Sequence, residues 1–155
     1  MHLTTLLLTA ALIWPVGPPR PEIIRGWDPP AGPYGPGHRG LDLAAPPGTP
    51  VKAAASGVVT FAGRVAGRGV LTITLPNTGN PPLRTTYEPV EATVAPGTTV
   101  TRGQPVATLT EPPGETPHCP ESCLHWGLLR GDTYLNPLSL LRQGPSRLLP
   151  VTGMP

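Results

Sequence analysis

The sequence predicts an all-β domain, an antiparallel sandwich or barrel-like core of short strands with little helix. Three observations lead there. Short runs rich in Val, Ile, Leu and Thr recur along the chain. Turn residues bound each run at the spacing expected of a sandwich or barrel. No stretch of a dozen residues carries the 3.6-residue apolar period of a helix. At 155 residues the chain has room for one domain with its own core. Its 19 glycines and 25 prolines raise disorder as a rival. In the middle of the chain they punctuate regular apolar runs instead of forming tracts, which argues for order.

The elements follow in turn. Residues 3–16 are apolar and uncharged, too few for a membrane span of about 20 residues. They suit the apolar region of an export signal, so 1–14 is expected to be a signal peptide or apolar leader. A buried first strand is the alternative, since a basic start and a clear cleavage site are missing. Residues 15–37 are rich in Pro and Gly, and proline confines them to extended or turn conformations. Such a long irregular segment is more often functional than accidental. It leads into His38 and is read as a wall of a site, with Trp27, Tyr34 and Arg39 as candidates for a substrate groove.

Strands are then expected at 41–43, 51–55, 58–62, 70–75, 83–87, 94–100, 102–109 and 124–129. Ser56-Gly57 is read as a turn and 138–142 as one short helical turn, followed by a tail over 143–155. Alternation along 41–43 puts Asp42 on the face opposite Leu41 and Leu43. On the same rule Trp126 joins Leu124 and Leu128 on a core face.

Charge excludes one class of function. Only 13% of residues are charged and the net charge is +2. The ten arginines and single Lys52 are scattered, whereas a nucleic-acid binder clusters them on one face. Arg84, Arg130 and Tyr134 are further groove candidates, with solvated surface as their ordinary role.

The chemistry concentrates in two distant stretches, 38–42 and 119–127. His38 and Asp42, four residues apart, with His125 inside an apolar-alternating strand, can supply three ligands to one zinc ion. Three protein ligands with a fourth position open are the requirement of a catalytic zinc. Each of the three alone would more often be an ordinary surface or hydrogen-bonded residue. Cys119 and Cys123 can close a small loop as a disulfide, the favoured reading if the chain is exported. As thiolates they could instead join His118 and His125 in a cramped second zinc site.

Taken in order, several features resemble the lysostaphin/LytM-type zinc metalloendopeptidases over residues 36–137. They are His38-x-x-x-Asp42, the strand Thr85-Thr86-Tyr87, the Val-Ala-Pro-Gly-x-x-Val-x-x-Gly-Gln turn at 94–104, and Leu-His-Trp-Gly at 124–127. The resemblance implies a metallopeptidase-like β domain over 38–142, with His38, Asp42 and His125 as Zn2+ ligands. It implies peptidoglycan peptides as partners, cleaved at cell-wall cross-links, and an extracytoplasmic, secreted or wall-associated location. Both auxiliary histidine positions differ, being Pro89 and Cys123 here. Tyr87, Glu88 or His118 are the candidates to replace them, with Glu121 a fourth. Glu88 adjoins the changed position, yet adjacent strand residues face opposite ways, which counts against it. The alternative function is a catalytically degenerate module of the same fold that binds the wall or regulates another cell-wall hydrolase. A biotinyl or lipoyl carrier, suggested by similar turns at 57–59 and 94–104, would need a lysine at a hairpin tip. Lys52 instead lies in an expected strand.

Overall fold

A computed structural model describes residues 11–111, 119 and 122–141. Eleven strands run in chain order among them. They are β1 (Ile23–Arg25), β2 (Leu41–Ala44), β3 (Pro50–Lys52), β4 (Gly57–Val65), β5 (Arg68–Thr74), β6 (Leu83–Glu88), β7 (Val90–Ala92), β8 (Thr99–Val100), β9 (Pro105–Leu109), β10 (Cys123–Arg130) and β11 (Thr133–Leu135). The larger sheet has the order β1-β2-β10-β6-β5-β4-β8, with β11 also paired to β10. The smaller sheet has the order β3-β9-β7. All pairings between these strands are antiparallel, so the expected all-β antiparallel class holds.

Strand β10 lies inside the larger sheet, paired along both edges, and its run Leu124, Trp126 and Leu128 supplies a fully buried face. Residues 123–126 pair with β2, and 128–130 with β11. Its other edge pairs with β6. Directly opposed residues on antiparallel strands share a face, so register defines two rows across the sheet. One row is Leu41, Trp126, Tyr87 and Leu71, all fully buried. The next residue along each of the first three strands gives the opposite face: Asp42, His125 and Glu88. The apolar row faces a core shared with Val51, Val90, Val106 and Leu109 of the smaller sheet. Trp126 therefore belongs to the core, as alternation predicts.

Several boundaries differ from expectation. The strand expected at 51–55 ends at Lys52, where Ala53 and Ala54 turn their N–H groups to Gln104 O and the Tyr87 hydroxyl. Gly57 is not a turn residue but starts β4. A side chain there would approach Thr74 O to 2.4 Å, so this glycine permits close strand packing. Residues 94–98 form turns, and only Thr99–Val100 of the strand expected over 94–100 pairs; the following strand begins at Pro105. The helical turn is a 3-10 turn at Pro137–Leu140, started by proline and capped by Asn136, whose side chain accepts from Leu138 N–H.

The Pro/Gly-rich segment 15–37 is more regular than expected. Ile23–Arg25 pairs with β2, and Asp28 forms a two-bond bridge with His38. Ahead of it, Leu12 and Val16 are buried in the core, and Trp14 lies 6.1 Å from Trp126 between ring centroids. Leu12 N–H bonds to Leu140 O and Ile13 N–H to Ala54 O. The first ten residues of the expected leader, most of the 110–120 loop and the 143–155 tail lie outside the described residues.

Candidate metal centre

Three segments bring His38, Asp42 and His125 together. Asp42 opposes His125 directly on β2 and β10, and His38 precedes β2 at the end of the proline-rich wall. The His125 Nδ1 atom is 2.8 Å from Asp42 Oδ1, and His38 Nε2 is 3.1 Å from the same oxygen. The two imidazoles meet edge to face with centroids 4.9 Å apart. One ligand atom from each residue lies within 4.8 Å of the other two. Around a tetrahedral zinc such atoms stand roughly 3.4 Å apart, given metal–ligand bonds of about 2.1 Å. The two distances to Asp42 Oδ1 fall a few tenths of an ångström short of that, and the donor types suit zinc.

Orientation of His38 is set by the wall. Its Nδ1 lies 2.8 Å from Gly26 O. A carbonyl only accepts, so Nδ1 carries a proton and Nε2 is the atom turned to Asp42. An imidazole lone pair beside a carboxylate oxygen calls for positive charge between them, supplied by a proton or a metal cation. His38 and Asp42 are buried, whereas His125 keeps 16% of its side chain exposed. The cup therefore opens on the His125 side.

Glycine at position 40 is a condition of this geometry. A Cβ there would lie 2.4 Å from Trp126 O and 2.9 Å from His125 Nε2. No sequence signal marks the Gly26 carbonyl, because every residue carries one. Gly40 was visible inside His-Arg-Gly-Leu-Asp without its role being apparent.

The proposed helpers separate cleanly. Tyr87 faces the core and does not join the centre. Its hydroxyl accepts from Ala54 N–H and pairs with Thr85 Oγ1, and burial pushes its pKa up to about 12. Glu88 does join the face of the centre, contrary to the expectation that it would turn away. Its cross-strand partner is His125 itself, and opposed residues share a face. Glu88 is half-buried, with Arg68 Nη1 at 4.0 Å. Pro89 is buried and offers no proton-transfer group, while Cys123 is joined to Cys119 in the expected disulfide. His118 and Glu121 lie outside the described residues.

Among the groove candidates, Arg39 donates to Pro33 O and lies 6.0 Å from the Tyr134 ring. Trp27 packs against the core, and Tyr34 is fully exposed. Arg84 and Arg130 are engaged elsewhere. They bond to Gly131 O and Pro81 O and so tie turns together at the far end of β10.

Residues 36–137 match the sequence profile described as Peptidase family M23. The chain belongs to that family. A relative of this M23 chain is the uncharacterized protein Rv2891 of Mycobacterium tuberculosis, 42% identical over 145 residues. That match covers 90% of this chain and 55% of the relative, so the chain spans about half the relative's length. Among solved structures, a zinc-containing peptidase from Vibrio cholerae superposes with a TM-score of 0.65 at 26% identity. The superposition covers 84% of this chain and 40% of that one. The lysostaphin catalytic domain from Staphylococcus simulans gives a TM-score of 0.62 at 24% identity, covering 77% of this chain and 90% of that one. The lysostaphin-type fold inferred from sequence is thus the fold of this M23 domain.

Proposed function

We propose that this chain is an exported zinc endopeptidase that hydrolyses cross-link peptides of peptidoglycan. The observation that carries the reading is the convergence of His38 Nε2, Asp42 Oδ1 and His125 Nδ1 in a cup open on one side. The M23 match and the likeness to a zinc-containing peptidase support zinc as the metal. His38, Asp42 and His125 would hold the ion. Bound zinc supplies Lewis acidity, polarising a peptide carbonyl and acidifying water.

The chain's own residues do the rest. The Gly26 carbonyl keeps His38 Nε2 directed inward, and the buried Asp42 carboxylate balances cationic charge. Exposure of His125 leaves the side on which an extended peptide approaches. With proline and a disulfide sulfur at the usual helper positions, Glu88 is, among the described residues, the carboxylate beyond Asp42 that stands opposite His125. Arg68 Nη1 lies 4.0 Å from its carboxylate. General acid–base assistance of this kind is typically worth about 10²–10⁴-fold.

The changed helper positions, Pro89 and Cys123, favour a second reading: a metal-holding module that binds the wall or regulates another hydrolase without cutting. Release of new amino groups from purified peptidoglycan separates the two. The zinc-loaded chain should release them, with His125→Ala and a chelated sample inactive and Glu88→Gln slowed at least 100-fold while retaining zinc. Stoichiometric zinc without release would establish the non-cutting module.

A further inference from the structure

The disulfide occupies the same face of the sheet as the ligand row. Cys123 precedes His125 by two residues on β10, so both side chains leave that face. Cys123 is also opposite Ala44, two residues beyond Asp42 on β2. Cys119 is buried beside it, with a Cα–Cα distance of 6.1 Å. Both sulfur atoms and an Asp42 carboxylate oxygen lie within 4.8 Å of one another. Asp42 therefore belongs to two donor sets, one of imidazoles and one of sulfurs.

We propose that opening the Cys119–Cys123 bond creates a thiolate metal site, Cys119–Cys123–Asp42, which takes the metal from the histidine centre. The inference rests on the metal-centre reading given above. A thiol reductant supplies the electrons. Its two molecules break the S–S bond by exchange, leave a thiol on each cysteine and depart as their own disulfide. On binding a divalent cation the two cysteine thiols release two protons. Thiolates are softer donors than carboxylate or imidazole and favour zinc strongly. One aspartate shared between the sets makes them competitors, so the open histidine centre holds metal only in the oxidised chain. Peptidase activity would be confined to that form.

Cobalt(II) added to the full chain tests this through its spectrum. The oxidised chain should bind one cobalt with weak visible bands and no sulfur charge-transfer absorption. After reduction by a small thiol and its removal without oxygen, an intense near-ultraviolet thiolate–cobalt band should develop at the same stoichiometry. The band should persist in His38→Ala, weaken in Asp42→Ala and vanish in the Cys119→Ser/Cys123→Ser double variant. Far-ultraviolet circular dichroism recorded beside it should stay constant. Cobalt bound by the reduced chain without that band overturns the proposal, as does a band arising only with loss of the β signal. Cobalt bound by the reduced but not the oxidised chain would sustain the sulfur site and overturn the histidine centre instead.

Discussion

At the scale of single residues, the centre depends on what its neighbours lack as much as on its donors. His125 can turn Nδ1 to Asp42 because Gly40 leaves room beside its ring. Gly40→Ala should shift that ring, forcing strain of about 1–3 kcal/mol on the packed strands and reducing zinc affinity about tenfold or more. Chemical denaturation and zinc titration would read the two effects separately; a variant normal in both would remove Gly40 from the account. The convergence of His38, Asp42 and His125 was legible in the sequence through the resemblance of their order to the lysostaphin/LytM-type pattern, since each alone reads as an ordinary residue. The Gly26 acceptor was not, since a backbone carbonyl has no side-chain signature. Glu88 was misplaced because alternation was counted from Pro89, which lies beyond the end of β6, instead of from its partner His125.

At the scale of elements, β10 separates a dry face from a reactive one. Tyr87 is an anchor of the dry face, its hydroxyl being the acceptor for Ala54 N–H where β3 ends. Burial raises its pKa from the ordinary tyrosine value of about 10 to about 12. The folded state thus holds this proton more tightly than the unfolded chain does. The resulting stability is complete below pH about 10 and is lost as pH rises from there to about 12, on the order of 3 kcal/mol in all. Tyr87→Phe should flatten that part of the stability–pH curve, at a cost near neutrality of about 1–3 kcal/mol for the orphaned Ala54 N–H. Urea midpoints across the alkaline range would show it, and an unchanged slope would contradict the assignment. The longer strands β4, β5, β6 and β10 were legible from their β-branched or alternating runs. Three-residue strands such as β1, β7 and β11 are too short for any period to register. Gly57 shows a related ambiguity, since close backbone contact and a turn select the same residue.

At the scale of the whole molecule, the proposed metal joins the proline-rich segment, β2 and β10, so binding should be felt as global stability. Zinc at 100 times its dissociation constant adds about 2.7 kcal/mol if the unfolded chain does not bind it. For a chain of this size that corresponds to roughly 5–10 °C in unfolding midpoint. Calorimetry with and without chelator should show the rise in the native chain and lose it in Asp42→Ala. A midpoint indifferent to zinc would separate the metal from the fold. The overall class was legible because strand runs and turn residues agree along most of the chain. The pairing of the wall with β2 was not, because proline-rich composition hides the short apolar run at Ile23 and Ile24.

The parallel bridge between Leu12 and Leu141 gives the fold a further property. Among the described residues, the first and last stretches of backbone run side by side, like a loop tied at its neck. A body of that shape can be spliced into a surface turn of a host protein without stretching either partner. A chain trimmed to residues 11–141 can also be circularised through a short linker and reopened at the exposed tip around Ala66 and Gly67, between β4 and β5, far along the chain from the residues that form the cup.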